Sequence, residues 1–173
     1  MKILTQALLD ELVAAAAPQV TDQVAKAEAY VPPPAPHDAP PRTVLYVEDN
    51  PANLMLVERF VARRPGIRLL TARDGTRGLE IARRARPDVV LMDINLSGIS
   101  GFDALQSLAD DPATAHIPVI ALSAKAMPDD IALGLAAGFF RYLTKPVKFD
   151  ELMDTLDEAL AHTQPETPQE ASG

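Results

Sequence analysis

The chain has 173 residues, 47% of them hydrophobic and 23% charged, with 16 prolines, no cysteine and a formal net charge of −8. This apolar share excludes wholesale disorder and allows one ordinary domain with some additional chain, while the missing cysteine excludes a disulfide framework, a zinc–thiolate site and a thiol nucleophile. The formal charge is −3 over residues 1–41, −3 over 42–161 and −2 over 162–173, without the clustered Lys and Arg that DNA phosphates require.

Residues 1–30 repeat leucine every fourth residue at Leu4, Leu8 and Leu12, are interrupted by Pro18 and continue the stripe at Val20, Val24 and Ala27. One or two helices are expected, as an extension that packs on the following domain or as a dimerisation or docking helix. Asp10 and Glu11 break the first apolar stretch, so it is not a signal-peptide core. No run in the chain approaches the ~20 apolar residues of a membrane span. A cytoplasmic protein that neither enters membranes nor binds DNA directly is the expectation. Residues 31–41 (VPPPAPHDAPP) read as a proline-rich, semi-rigid polyproline II linker.

From residue 42 the hydrophobic period keeps switching. Strands are expected at Thr43–Val47, Ile67–Thr71, Asp88–Met92, Ile117–Leu122 and Arg141–Leu143, most of them apolar throughout, as strands covered on both faces are. Helical stripes alternate with them: Leu54, Val57, Phe60 and Val61; Leu79 and Ile81–Ala82; Phe102, Leu105 and Leu108; Ile131 and Leu135; Leu152, Leu156 and Leu160. Asn50 with Pro51 reads as an N-cap followed by proline at the first helical position, and Asp74 and Asp150 stand where later caps are needed. The domain is expected over residues 42–161, with a disordered tail over 162–173. Alternating strands and helices imply an α/β fold, a doubly wound five-stranded parallel sheet whose ligand site lies beyond the carboxyl ends of the strands.

Charged and polar residues stand at those ends. Glu48 and Asp49 follow the first strand, Asp93 the third, Ser123 the fourth, and Lys145 with Pro146 the fifth. Singly each has an ordinary reading: Glu48 and Asp49 as caps, Asp93 as a turn residue, Lys145 as a solvated cation. Their joint placement on one sheet edge is what points to chemistry. Carboxylates gathered there repel by about 4 kcal/mol per pair at ~4 Å and an effective dielectric of ~20. Mg²⁺ relieves such repulsion with one or two carboxylates, waters and phosphate oxygens. Lys145 supplies positive charge and Ser123 a hydrogen-bond donor, a set suited to phosphoryl transfer onto a carboxylate. His37, His116 and His162 read as solvated surface groups.

The strings VLYVEDNPAN, RDG, PDVVLMDINLSGISG, HIPVIALSA and GFFRYLTKP, spread over residues 43–160, resemble the receiver domains of two-component response regulators, in particular the single-domain chemotaxis-regulator type. The resemblance implies a flavodoxin-like sheet of strand order 2-1-3-4-5, for which a family member is a standard example. It further implies Asp93 as phosphoacceptor; Mg²⁺ held by the carboxylates of Asp49 and Asp93, the backbone carbonyl of Asn95, and Glu48 directly or through water; Lys145 and Ser123 on the phosphoryl oxygens; and Tyr142 as the aromatic that follows Ser123 in the switch. A cis peptide is expected at Lys145–Pro146. Ser97 departs from a common proline, Ser100 from an acidic residue, Phe139–Phe140 from a smaller or more polar pair, and Ser123 is the rarer choice beside threonine. These departures are expected not to touch the acidic site. Asn95 and Lys125 flank the region where the family tunes the lifetime of the phosphorylated state.

The expected function is a signalling receiver that takes a phosphoryl group from a histidine kinase or histidine phosphotransfer protein and is no enzyme beyond its own phosphorylation and dephosphorylation. With about a dozen residues after the last helix, output is expected through contact with a downstream protein. Residues 1–30, or the face of the domain's fourth helix, fifth strand and fifth helix, are the candidate dimer surfaces. Arg59, Arg63, Arg64, Arg68, Arg73 and Arg77 form either a basic patch that steers an acidic partner or a solvated face. Two alternatives stand beside this: the C-terminal receiver of a hybrid sensor kinase, and a Mg²⁺-dependent aspartyl-phosphate phosphatase, although Asn95 occupies the position where such an enzyme needs a second acid.

Overall fold

Alternate residues of each apolar run turn to opposite faces of one sheet. The computed structural model describes residues 18–32, 34, 38–125 and 127–163. Within them β1 (Arg42–Val47), β2 (Ile67–Ala72), β3 (Val89–Asp93), β4 (Val119–Ser123) and β5 (Arg141–Thr144) pair in parallel in the order β2-β1-β3-β4-β5. Six described helices surround them: α1 (Pro18–Ala29), α2 (Pro51–Ala62), α3 (Gly75–Ala85), α4 (Gly101–Asp110), α5 (Pro128–Ala137) and α6 (Phe149–His162). The expected doubly wound sheet and its strand order are borne out.

Tyr46, Leu91, Ile120 and Leu122 face α2 and α6, burying Phe60, Val57, Phe149 and Leu156. Leu45, Val47, Val90 and Met92 face α3 and α4, burying Leu79, Ala82, Leu105 and Leu108. The expected boundary of β4 is corrected: the strand begins at Val119, not Ile117. Pro118 has no N–H to give to a ladder, and its carbonyl accepts from Val90 instead. Likewise β3 runs through Asp93 and begins after Asp88, whose carboxylate accepts from the Thr43 amide at 2.8 Å.

Caps follow the local chemistry. Asn50 Oδ1 accepts from the amides of Ala52 and Asn53, and Asp74 Oδ1 accepts from Arg77. Asp150 is no cap, contrary to expectation. Helix α6 starts one residue earlier, at Phe149, whose ring is drawn into the core beside Phe60, and Lys148 occupies the cap position without a side-chain bond. The helix also continues through His162, into the stretch expected to be tail, and Thr163 Oγ1 accepts from Arg42 at 2.7 Å. At Gly101 a Cβ would lie 2.6 Å from the Asp93 carbonyl oxygen and 2.7 Å from Ile94 Cα. Only glycine lets α4 approach the end of β3 so closely.

The described part of the N-terminal extension packs on its own domain. Val24 and Ala27 of α1 are buried in the core shared with α2 and α6. Arg63 donates to the carbonyls of Ala27 and Glu28, Arg59 pairs with Glu28, and Arg64 with Asp157. Of the six arginines left open between a basic patch and a solvated face, Arg59, Arg63 and Arg64 are engaged within the chain, where α1 and α6 present acids and helix-end carbonyls to them. Residues 1–17, with Leu4, Leu8 and Leu12, lie outside the described residues, as do Pro33 and Ala35–His37 of the linker and residues 164–173 of the tail.

Candidate functional site

Pairing of β1 with β3 sets the end of one strand beside the end of the other. That register brings carboxylate oxygens of Glu48, Asp49 and Asp93 within 4.8 Å of one another. Glu48 and Asp93 are buried and Asp49 is the most accessible of the three. Lys145, at the end of β5, reaches across the same edge: its Nζ lies 2.6 Å from Glu48 Oε2 and 3.2 Å from Asp93 Oδ1. A single ammonium thus serves two buried carboxylates and leaves formal negative charge over, which suits a divalent cation with oxygen ligands.

Each acid is held by specific donors. Glu48 Oε2 also accepts from the Tyr46 hydroxyl at 2.9 Å, and Oε1 from the Asn50 amide at 3.2 Å. Burial, and then the adjacent Glu48 carboxylate, raises the Tyr46 phenol well above its ordinary range. Asp93 Oδ1 accepts from the Asn95 amide at 3.0 Å. Asp49 Oδ2 accepts from the Ser97 hydroxyl at 3.1 Å. This corrects the expectation that the departures from the common pattern leave the acidic site untouched, because serine where proline is common adds a donor to one of its carboxylates. Ser100 meanwhile forms a capping box with Asp103 at the start of α4.

The remaining residues singled out in the sequence sit on the same rim. Ser123 is buried; its Oγ accepts from the Lys125 amide at 3.1 Å, and its carbonyl accepts from the Lys145 amide at 2.8 Å. Tyr142 donates its hydroxyl to the Lys125 carbonyl at 2.8 Å. Its ring lies against α5 at Gly134, where a Cβ would fall 2.7 Å from Tyr142 Cδ2. One short loop therefore joins Ser123 to Tyr142 through the two backbone groups of Lys125. Asn95 is exposed, and the Lys145–Pro146 bond is cis. His116 is exposed; His162 is also exposed and lies 5.5 Å from the Phe140 ring.

A family model for the response regulator receiver domain matches residues 44–157. The chain belongs to this family. Among curated receivers, the polar-differentiation response regulator DivK of Brucella anthropi is 37% identical over 120 residues, 69% of this chain and 97% of that protein. Protein PilH of Pseudomonas aeruginosa is 37% identical over 118 residues, 68% of this chain and 97% of that protein. Among solved structures, a chemotaxis response regulator of Vibrio cholerae superposes with a TM-score of 0.64 at 28% identity, covering 69% of this receiver chain and 99% of that one. The receiver domain of a sensor histidine kinase from Pseudomonas aeruginosa, solved with a magnesium ion coordinated in its active-site cleft, superposes with a TM-score of 0.64 at 33% identity, covering 70% and 98%. Helix α1 lies outside the matched residues of the receiver.

Tyr46 and Ser97 went unassigned as site residues in the sequence. Tyr46 was legible in principle, since residues two apart on a strand share a face and Glu48 continues that row. Ser97 carried no such signal; its contact depends on how the loop after β3 folds back over β1.

Proposed function

We propose that the chain is a phosphorylation-switched signalling receiver that accepts a phosphoryl group on Asp93 from the phosphohistidine of a histidine kinase or phosphotransfer protein. The observation that carries this is Lys145, placed within 3.2 Å of both buried carboxylates on the edge where Asp49 also lies. Asp93 Oδ1 is occupied by Lys145 and the Asn95 amide, whereas Oδ2 accepts from no donor among the described residues. The Asp93 carboxylate is the nucleophile. Its bond to phosphorus forms as the donor's phosphorus–nitrogen bond breaks, and the electron pair leaves on the imidazole.

The donor set fits Mg²⁺: Asp49 and Asp93 would hold it through carboxylates, Asn95 through its backbone carbonyl, and Glu48 directly or through water, and when bound it cancels carboxylate charge and attracts the phosphoryl oxygens. Lys145 neutralises the incoming phosphoryl charge from the other side. Ser123 then turns its hydroxyl from the Lys125 amide to a phosphoryl oxygen. The Lys125 loop shifts with it, and so does the Tyr142 hydroxyl bonded there. The readout face is built from α5, β5 and α6, where Leu133 and Leu135 of α5 are 65% and 45% exposed and give a partner protein apolar area. Catalysis is limited to the protein's own phosphorylation and the hydrolysis that reverses it.

The likeness to a sensor kinase's receiver favours a second reading, in which this is the receiver module of a hybrid kinase; sequence flanking the gene decides it. For the main reading, acetyl phosphate with Mg²⁺ is expected to add one acid-stable, base-labile phosphoryl group, absent from Asp93→Asn. Repeated turnover of small phosphate esters, or labelling that survives in Asp93→Asn, overturns it.

A further inference from the structure

The N-terminal end of α6 lacks the cap that its own sequence ought to supply. Lys148 stands at the cap position with no side-chain acceptor for the first amides. The missing acceptor comes instead from the extension, 126 residues earlier: Gln23 Oε1, on α1, accepts from the Phe149 amide at 3.0 Å in a buried position. Only the oxygen of that side chain can meet an N–H, so the orientation of the amide follows from chemistry.

Two further contacts join this segment to the start of α6. The Tyr30 ring, just beyond α1, meets the Phe149 ring edge-on at 5.2 Å, and Lys26 lies 3.6 Å from Asp150. Between α1 and the end of β5 lies a cavity of about 300 Å3 lined by Asp22, Gln23, Thr144, Lys145, Pro146 and Lys148. The loop that carries Lys145 is thus tied at its start by the Lys145 amide on the Ser123 carbonyl and at its end by Gln23. Pro146 inside it has no amide to tie.

We propose that α1 is a positioning element for Lys145, acting through Gln23, so that seating of the extension sets how firmly the ammonium is held against Glu48 and Asp93 and hence how fast Asp93 takes up phosphorus. This rests on the receiver reading above for its kinetic part alone. The competing account is that burial of Val147 and Phe149, 4% and 1% exposed, holds the loop without help from α1.

The test uses the full chain with Gln23→Met, which keeps length but loses a good acceptor, and Gln23→Glu, which keeps an oxygen for the Phe149 amide. Amide hydrogen exchange at Phe149 and Lys145 is measured without any phosphate donor, and phosphorylation is followed against acetyl phosphate concentration with Mg²⁺. In Gln23→Met, exchange at both amides is expected to rise roughly tenfold, as loss of a buried partner implies, with a lower maximal phosphorylation rate. Gln23→Glu is expected to restore both. If exchange rises at Phe149 alone and the rate stays at the wild-type value, or if Gln23→Glu behaves like Gln23→Met, the proposal is overturned. Should the wild type accept no phosphoryl group, the receiver reading fails, and exchange at Lys145 by itself then decides the positioning role.

Discussion

The hydroxyl of Tyr46 rests on the Glu48 carboxylate beyond the reach of water, and that pairing gives stability an alkaline limb. A phenol whose value is raised in the folded state contributes fully below its unfolded value near 10 and loses that contribution as pH climbs above it, because only the unfolded chain ionises. Unfolding free energy is expected to fall by about 1.4 kcal/mol per pH unit above pH 10 from this group. Tyr46→Phe should remove that slope in urea titrations across pH 9–11 while costing about 1.5–3 kcal/mol at pH 7, the range for a hydrogen bond to a charged group. Asp49 lends itself to the opposite experiment. Asp49→Asn relieves like-charge repulsion at the rim, so the metal-free protein should melt at higher temperature while Mg²⁺ binds roughly tenfold or more weakly, since ligand charge sets such affinities; calorimetry with and without chelator reads both. The carboxylates and the lysine were legible as residues because strand ends carry ligand sites. Their hydrogen-bond partners were not, apart from the row Tyr46–Glu48, because donors such as Ser97 arrive through loops whose course no periodicity encodes.

At the scale of elements, the seat of α4 on the end of β3 is a backbone contact at Gly101. Gly101→Ala must push that helix off the end of β3, at an expected cost of about 1–3 kcal/mol. It should also slow phosphorylation, because the displaced atoms belong to Asp93 and Ile94; a variant that loses stability but keeps the wild-type rate would separate the two effects. Strands and helices were readable from apolar runs and stripes, and Asn50 and Asp74 from their chemistry as caps. The start of α6 was misread at Asp150 because its capping group lies on another helix, and a cap borrowed across 126 residues leaves no trace in local sequence. The arginines in and just after α2 stayed open between a patch and a solvated face for a related reason: charge counting cannot see that Arg63 spends its donors on the carbonyls that end α1.

For the molecule as a whole, two apolar cores share one five-stranded sheet, and α1 contributes Val24 and Ala27 to one of them. The extension is therefore expected to unfold with the domain. Amide exchange of α1 and α6 under increasing urea should converge on one opening free energy; protection of α6 persisting after α1 has opened would show the helix to be an independent unit. Mg²⁺ should raise the melting temperature by mass action, with about 2.7 kcal/mol gained at a hundredfold excess over its dissociation constant. The domain was legible because fold class follows from alternating elements. The docking of α1 was open in the sequence between its own domain and a partner, since an amphipathic stripe states that a face must be covered and not by what.

The bond between Lys145 and Glu48 spans 97 residues, and the strand that brings the lysine is an outer one, made after Glu48, Asp49 and Asp93 are in place along the chain. During synthesis the ribosome releases the carboxylates long before their counter-charge. A chain cut before β5 lacks the ammonium that contacts Glu48 and Asp93, so the two buried carboxylates would face each other without that counter-charge. The paired acids and their lysine meet only when the outermost strand has joined the sheet beside β4.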